Sequence, residues 1–401
     1  MQAQNKIITR NFYLDKIKPF MNKNVIKVLI GQRRVGKSYL LLQIIELIQT
    51  ANNKANIIYI NKEQFEFDAI KNHKKLIEYV NKNKKAKHNY LLIDEIQDIK
   101  EFERALRHFT LDTNFDIYCT GSNANLLSGE LATFLSGRYI EFKIYSLSYT
   151  EFLEFHTLKN TNDSLKKYML WGGLPFLKNL DKSEEVIAEY LKNIYTTIMY
   201  KDIITRFQIR NATFLENLIL YLANNIGNII SAKKISDYLK SQQVKMSPQI
   251  ILNYLNYLKQ ALLVFNVKRT AIGGKKIFEI NEKIYFEDWG ILNAIIGFSN
   301  IDIGKLIENV VFIHLKIKGY DVLIGKLDDK EIDFIAKKKG EKVYIQVCYL
   351  LSDKKVRERE FGNLMAIKDN YPKMVISLDE YAPKNTEGIK HIHLRTFLTE
   401  F

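Results

Sequence analysis

The sequence predicts an α/β protein that begins with a parallel β-sheet and a phosphate-binding loop and continues into further domains. Short apolar runs alternate with longer helical stretches between residues 25 and 143. A glycine-containing loop of the form G-x-x-x-x-G-K-S follows the first of these runs. The length of 401 residues exceeds that of one ordinary domain. Strands that alternate with helices imply a parallel sheet that is covered on both faces.

The predicted strands of the first domain are the apolar runs between its helical stretches. The helices include residues 37–49 and 101–111. The strands are residues 25–30, 56–60, 90–94, 115–120 and 139–144.

Composition excludes several classes of protein. Hydrophobic residues make up 47% of the chain, which is enough for sizeable cores and argues against disorder. The two cysteines, Cys119 and Cys348, cannot form a disulfide framework or a metal-ligand set, so a reducing cytoplasm is expected. No apolar run approaches the roughly 20 residues of a membrane helix, and the N-terminal sequence lacks an apolar signal core. We therefore expect no membrane partner.

The net charge of +15 makes the chain strongly basic. A basic surface attracts nucleic acid, acidic proteins or anionic lipid. The alternative is a lysine-rich background with no binding role. Charge alone leaves these possibilities open.

The loop after the first strand predicts a nucleotide site. Gly31 and Gly36 allow the backbone to turn tightly around phosphate oxygens, while backbone N–H groups and the following helix N-terminus supply a positive field. Lys37 is expected to reach the β- and γ-phosphates, and Ser38 to bind Mg²⁺. The remaining residues of the predicted ATP-binding loop are Gln32, Arg33, Arg34 and Val35.

The run Tyr90-Leu91-Leu92-Ile93 ends in two carboxylates, Asp94 and Glu95. A buried strand holds Asp94 at its C-terminal end, where it can help bind Mg²⁺ beside the loop. Glu95 is placed to polarise the attacking water as a general base. The alternative is an acidic strand end without a role, but its combination with the loop favours an ATPase.

With these motifs the chain resembles AAA+ ATPases. It is most similar to a prokaryotic group whose ATPase carries GQRRVGKS and LLIDEIQD before a second domain of unknown function. The resemblance implies that the strand ending at Thr120 and Gly121 is a sensor strand. Ser122 or Asn123 would then contact the γ-phosphate or the attacking water, and a simple turn is the alternative.

The resemblance also places two residues further along the chain. It implies an arginine finger at Arg138, for which a surface salt bridge is the alternative. It likens Trp171-Gly172-Gly173-Leu174-Pro175 to part of a helical lid in which Pro175 lies near the nucleotide, and an ordinary helix break is the alternative. Related ATPases assemble into rings, which leaves a homo-oligomer open.

The middle of the chain predicts a winged helix-turn-helix. Residues 176–205 read as a lid helix, and three helices follow at 213–225, 231–239 and 247–260. Two strands, at 262–270 and 275–280, complete the pattern. The third helix would enter the major groove of duplex DNA, although it is almost uncharged. The alternative is a protein-binding module or a lid, because winged helices also serve in those roles. The candidate DNA-binding residues are Lys233, Lys234, Lys240 and Lys259.

The last part resembles the PD-(D/E)XK nuclease core. A helix at 303–318 carries Glu308, and a strand at 320–326 and a hairpin turning at 338–340 carry Asp333 and Gln346. In that fold two acidic groups bind Mg²⁺ and a lysine activates water. Here Gln346 replaces the second acid and Cys348 stands at the lysine position, so we expect an inactive remnant.

The predicted fold class is therefore α/β, with a P-loop AAA+ core, a helical lid, a winged helix-turn-helix and a nuclease-like domain. The predicted boundaries are 1–148, 149–205, 206–280 and 281–401. We expect an ATPase switch, with ATP and Mg²⁺ as cofactors, that couples nucleotide state to double-stranded DNA binding. The alternatives are a slowly hydrolysing regulator that acts on a protein partner, and an ATP-dependent nuclease.

Overall fold

A computed structural model describes residues 8–85, 87–127, 137–272, 282–298, 300 and 302–401 of the chain. The chain divides into two compact units. The first comprises the described residues up to Ile144 together with Gln260–Leu262, and the second comprises Tyr145–Lys259 and Leu263–Phe401. Within the described ranges no helix is both long and apolar enough to cross a membrane.

The first unit is built around a parallel sheet. Its described strands lie in the order β2-β3-β4-β1-β5, and every neighbouring pair is parallel. The strands β1, β3 and β4 are buried at every residue, as expected for a parallel sheet with both faces covered. The elements are α1 Asn11–Ile17, β1 Ile26–Ile30, α2 Lys37–Ala51, β2 Asn56–Asn61, α3 His73–Asn83, β3 Asn89–Asp94, α4 Phe102–Thr110, β4 Phe115–Gly121 and β5 Tyr139–Lys143.

The strand register brings the predicted motifs to one edge of this sheet. Ile30 lies opposite Gly121 on β4, so the loop after β1 begins beside the end of the predicted sensor strand. Ile93 lies opposite Cys119, which places Asp94 level with Thr120. Ligands of open α/β sheets bind at this carboxyl edge. The five strands predicted for the first domain are confirmed to within two residues.

The second unit contains helices followed by a mixed sheet. Its described strands lie in the order β13-β14-β12-β11-β10-β9-β7-β8-β6. The helices are α5 Tyr149–His156, α6 Asn162–Trp171, α7 Glu184–Thr197, α8 Ala212–Asn224, α9 Ala232–Ser241, α10 Pro248–Gln260, α11 Trp289–Ile296, α12 Ile303–Ile317, α13 Lys354–Met365 and α14 Leu394–Glu400. The strands are β6 Ile229–Ile230, β7 Val264–Ala271, β8 Glu282–Phe286, β9 Asp321–Leu327, β10 Lys330–Lys338, β11 Glu341–Val347, β12 Lys373–Ser377, β13 Asn385–Thr386 and β14 Ile389–His393.

Two sequence expectations differ from these elements. Residues 176–205 do not form one α-helix, because α7 begins only after Ser183, whose side-chain oxygen accepts the Val186 N–H. A π-helix, Ile198–Thr205, follows α7. The predicted strand at 275–280 lies outside the described residues, and β7 pairs antiparallel with β8 instead. The division of this unit into lid, winged helix and nuclease-like domain stays a prediction.

Candidate nucleotide-binding site

The loop between β1 and α2 is shaped by two glycines. A side chain on Gly31 would place its Cβ 2.2 Å from the Ile144 carbonyl oxygen, so only glycine fits beside β5. Gly36 has φ of 95° and is the N-cap of α2. These residues bring the loop backbone back to the amino end of α2, where free N–H groups and the helix dipole favour an anion.

Lys37 is the first residue of α2, and its side chain lies inside the loop. Its ammonium donates to the carbonyl oxygens of Gly31 and Gln32, both at 3.0 Å, and lies 3.7 Å from Glu95 Oε1. The Gln32 side chain is also buried, and among the described residues its two polar atoms have no hydrogen-bond partner. A buried amide without a partner is costly, which is consistent with a site that a ligand completes.

The other loop residues have separate roles. Val35 is buried, and its carbonyl oxygen accepts from Arg10 Nη1 at 2.8 Å. Arg33 forms an ion pair with Glu63 at 3.3 Å, whereas Arg34 is exposed and has φ of 70°. Only Arg34 is therefore exposed to solvent.

Asp94 is buried at the end of β3 and accepts hydrogen bonds from Ser38 and Thr120. Burial raises the pKa of Asp94 above its usual range, and these two hydroxyl donors oppose the rise. The contact joins the two residues predicted to bind Mg²⁺. A hydroxyl and a carboxylate oxygen suit that ion, because it prefers oxygen ligands.

Glu95 is held in one place by three neighbours. It has φ of 55°, and its N–H donates to Thr120 Oγ1 at 2.9 Å. Its carboxylate accepts from Ser122 Oγ at 2.9 Å and from the Gln97 amide. Burial alone would raise the pKa of Glu95, but Lys37 and these donors outweigh it and lower the pKa. The carboxylate is therefore ionised at neutral pH, as a general base must be.

Sequence reasoning missed three residues around these carboxylates. Thr120 contacts both Asp94 and the Glu95 backbone, Gln97 contacts Glu95, and the Tyr59 hydroxyl hydrogen-bonds Asp94. Its place at the end of β4, just before Gly121 and Ser122, was the available signal for Thr120. No spacing rule points to Tyr59, because its proximity depends on β2 pairing with β3.

Comparison with known proteins agrees with this geometry. Residues 23–153 match a family model described as an AAA domain, and residues 162–302 match a domain of unknown function, DUF8612. An uncharacterized protein of Haemophilus influenzae is 37% identical over 98% of this chain and 99% of its own length. The chain belongs to this family of AAA-domain proteins. An uncharacterized protein of Methanocaldococcus jannaschii is 34% identical over 91% of this chain and 82% of its own.

Solved structures with a similar chain course include P-loop ATPases. A Walker-type ATPase of Pyrococcus abyssi has a TM-score of 0.46 and 15% identity, over 74% of this chain and 96% of its own. AMPPCP-bound DnaA from Aquifex aeolicus has a TM-score of 0.31 and 13% identity, over 61% of this chain and 85% of its own.

The remaining predicted nucleotide contacts lie at different places in this AAA-domain protein. Asn123 follows β4 beside Ser122 and is partly buried. Arg138 is exposed at the start of β5, and Ile26 lies opposite Tyr139, the next residue. Arg138 is thus at the amino edge of the sheet, level with Val25 and about 20 Å along the strand direction from Gly31, where the loop begins at the carboxyl edge. Pro175 begins a 3₁₀-helix in the second unit.

The glycines before Pro175 have a packing role. Gly172 has φ of 80°, and a Cβ there would lie 2.5 Å from Asp288 Oδ1 and 2.6 Å from the Gly290 nitrogen. The Gly173 N–H donates to Asp288 Oδ2 at 2.8 Å. The glycine pair therefore permits close contact between the end of α6 and the start of α11. A role of Pro175 at the nucleotide stays a prediction.

The predicted DNA-binding lysines lie on α9 and α10. Lys233, Lys234 and Lys240 are exposed, and Lys259 near the end of α10 is partly buried. From Tyr238 to Phe278 the sequence contains seven Lys or Arg and no Asp or Glu. This segment includes all of α10 and β7.

The nuclease-like residues surround a buried lysine that sequence reasoning missed. The Lys283 ammonium on β8 lies 2.8 Å from Glu308, 2.8 Å from Glu331 and 3.4 Å from Asp333. Burial alone would lower the pKa of Lys283, but these carboxylates raise it, so the ammonium stays charged. A lysine in a strand that continues with Ile284, Tyr285 and Phe286 was the available signal.

The other two predicted positions are also engaged. The side-chain oxygen of Gln346, Oε1, accepts from the Asp333 backbone N–H at 2.7 Å. The side-chain nitrogen, Nε2, donates to Glu360 Oε2 at 2.7 Å. Cys348 is buried just after β11, and burial raises the pKa of its thiol to about 12. In the part of the chain that is described, no group of three or more His, Cys, Asp or Glu side chains is arranged to hold a metal ion.

Proposed function

We propose that this protein is an ATP-hydrolysing switch in which the nucleotide state of the AAA domain controls duplex DNA binding by the second unit. The observation that carries the ATPase part is the convergence of Lys37, Ser38, Asp94 and Glu95 at one edge of the sheet. Lys37 lies 3.7 Å from Glu95, and Ser38 hydrogen-bonds Asp94. This arrangement supports a phosphate-binding role for Lys37, a metal-binding role for Ser38 and Asp94, and a base at Glu95.

Lys37 would bind the β- and γ-phosphates. Its ammonium now donates to two loop carbonyl oxygens and lies near Glu95. Phosphate oxygens are stronger acceptors than neutral carbonyls, so the ammonium would move toward them when ATP binds. The same movement would weaken its attraction for Glu95 and leave that carboxylate able to accept a proton.

Ser38 and Asp94 would hold Mg²⁺ in this site. When bound, the ion supplies charge neutralisation on the β- and γ-phosphate oxygens. Asp94 is fixed by the hydrogen bond from Thr120, so its second oxygen is held at the carboxyl edge. Ser38, in the first turn of α2, is directed at the same carboxylate.

Glu95 would orient and deprotonate the attacking water. Its hydrogen bonds from Ser122 and Gln97 fix the carboxylate and favour its ionised form. Ser122 is thus a positioning residue, and Asn123 beside it would contact the γ-phosphate or the water. The proton would leave the water for a Glu95 oxygen as the water oxygen bonds to the γ-phosphorus and the bond from that phosphorus to the β–γ bridging oxygen breaks, which gives ADP and phosphate.

The second unit would bind DNA as a winged helix. Its order α8-β6-α9-α10-β7-β8 matches that motif, and β8 pairs with both β6 and β7. The exposed lysines on α9 and the acid-free segment 238–278 favour contact with phosphates. The charge of this segment, rather than the helix order, argues for nucleic acid instead of a protein partner.

DNA cleavage by the nuclease-like part is not expected. The two acids that would bind a metal ion, Glu308 and Asp333, are paired with the Lys283 ammonium. Because Lys283 is part of β8, its ammonium remains beside these two carboxylates and repels a metal ion that would bind there. This part would then serve the fold or DNA binding.

The test is duplex affinity in two nucleotide states. Fluorescence anisotropy would measure binding of a labelled 20-base-pair duplex with Mg²⁺ and either ADP or a non-hydrolysable ATP analogue. We expect the affinities to differ several-fold in the wild type and to be equal in Lys37→Ala. Equal affinities in wild-type protein that calorimetry shows to be saturated with each nucleotide would refute the coupling.

A further inference from the structure

The exposed face of α10 carries amides and methyl groups but no charge. Gln249, Leu252, Asn253 and Asn256 are all exposed and stand at positions i, i+3, i+4 and i+7, which share one side of a helix. The opposite side packs into the unit through residues that are nearly or completely buried. These are Ile251, Leu255 and Leu258.

The exposed face of α10 places amide groups beside aliphatic groups. Gln249 Nε2 and Asn253 Oδ1 lie 3.3 Å apart, so the two amides are neighbours. Leu252 is 49% exposed and Ile250 is 40% exposed, which places apolar surface beside them. Amides next to aliphatic groups, without any charged side chain, form a surface suited to uncharged hydrogen-bonding groups.

The surroundings of the face are basic. Lys240 and Lys245 are exposed before α10, and Lys268 is exposed on β7 after it. No Asp or Glu occurs between Asp237 and Glu279 in the sequence. An uncharged helix face with exposed lysines before and after it in the sequence complements a polyanion whose interior groups are uncharged, which describes the major groove of duplex DNA.

We propose that α10 reads adenine–thymine base pairs in the major groove through Gln249, Asn253 and Asn256. This inference rests on the proposed DNA binding and adds its sequence preference. Asn and Gln amides make paired hydrogen bonds to adenine N6 and N7, and aliphatic side chains contact the thymine methyl group. Guanine is read mainly by Arg or Lys, and this face has neither between Gln249 and Asn256. Lys259, one turn further on, is partly buried.

Helix geometry sets the length of the site. Seven residues separate Gln249 from Asn256, which is about 10 Å at 1.5 Å per residue. Base pairs are stacked about 3.4 Å apart, so the face spans roughly three of them. Leu252 lies between Gln249 and Asn253 in the sequence and would contact a thymine methyl group within those three base pairs.

The experiment uses the full chain and duplexes that differ in one atom. Anisotropy would compare an adenine–thymine-rich duplex with the same duplex containing 7-deazaadenine, which lacks the major-groove N7 and leaves the minor groove unchanged. Loss of one paired contact is expected to weaken wild-type binding roughly 5- to 100-fold. The triple variant Gln249→Ala/Asn253→Ala/Asn256→Ala should bind both duplexes equally, with the weaker affinity.

Two controls separate the possible results. Asn193→Ala removes an exposed amide on α7 and should bind DNA as the wild type does. Replacing Lys233, Lys234 and Lys240 by Ala should weaken both duplexes by the same factor and flatten the salt dependence. Tight wild-type binding that ignores 7-deazaadenine would overturn the base readout alone. Failure to bind any duplex at low salt would overturn the proposed DNA binding together with it.

Discussion

Replacing Glu95 by Gln should separate ATP binding from ATP hydrolysis. The amide keeps the shape of the side chain, and its oxygen can still accept from Ser122 and Gln97. The amide nitrogen would then lie toward Lys37, 3.7 Å from the present carboxylate oxygen, so the attraction between these residues is lost. Lys37 remains available to the phosphates. Binding should therefore be retained while the base is removed.

The magnitude follows from the role of the carboxylate. A positioned general base contributes about 10²–10⁴ to the rate, or roughly 3–5 kcal/mol of barrier. We expect kcat to fall by that factor and the ATP dissociation constant to change less than about threefold, because the lost attraction between Glu95 and Lys37 is small next to the phosphate contacts. Phosphate release would report kcat, and calorimetry would report binding.

Glu66→Gln is the matched control, because it removes an exposed carboxylate from the same unit. It should leave both kcat and ATP affinity unchanged. Turnover by Glu95→Gln equal to the wild type would refute the role of Glu95. A large loss of ATP affinity would show instead that Glu95 shapes the binding site.

Three other substitutions test separate parts of the molecule. Lys37→Ala should abolish measurable ATP binding in calorimetry, and unchanged affinity would contradict the site. If Arg138 acts on the nucleotide of a second copy, Arg138→Ala should bind ATP normally but turn it over up to about 10³–10⁵-fold more slowly. Mixing Arg138→Ala with Glu95→Gln should then restore activity. Strictly monomeric Arg138→Ala with full turnover would contradict this role. Lys283→Met should destabilise the protein by about 3–5 kcal/mol in urea denaturation at pH 7, because it leaves buried carboxylates without a cation.

The stability that Lys283→Met loses should depend on pH in a predictable direction. Burial already raises the pKa of Glu308, and removing the ammonium would raise it further. A carboxylate with a raised folded pKa contributes stability below its unfolded pKa and loses it as pH rises through the folded value. The penalty should therefore shrink as pH falls from the folded pKa of Glu308, which is about 7 even with Lys283 present, and be smallest below about pH 4, near the unfolded pKa of Glu. Lys268→Met, at an exposed site on β7, should cost little at any pH.

The first unit was predictable because its signals are local. The β1 run, the glycine loop and Asp94 at the end of an apolar strand each specify position and chemistry within a few residues. Parallel pairing then brings the strand ends to one edge, so Lys37 and Glu95 meet although they are far apart in the sequence. Tyr59 was not predictable, because its contact with Asp94 depends on the pairing of β2 with β3.

The second unit was less predictable because its pairing is non-local. Lys283 joins Glu308 and Asp333 through three separate elements, and the sequence pattern assigned only the two acids to one site. The helix expected at 176–205 was wrong at its start, where Ser183 caps a shorter α7. Apolar periodicity continues through residues 176–183 and hides that break.

ATP turnover by the purified chain is the most direct test of the proposed ATPase switch. Phosphate release would be measured with Mg²⁺ and ATP, with and without duplex DNA, for the wild type and Lys37→Ala. We expect Mg²⁺-dependent turnover by the wild type, a change in rate when duplex is added, and no turnover by Lys37→Ala. Absence of turnover by folded wild-type protein under all these conditions, or turnover that survives Lys37→Ala, would contradict it.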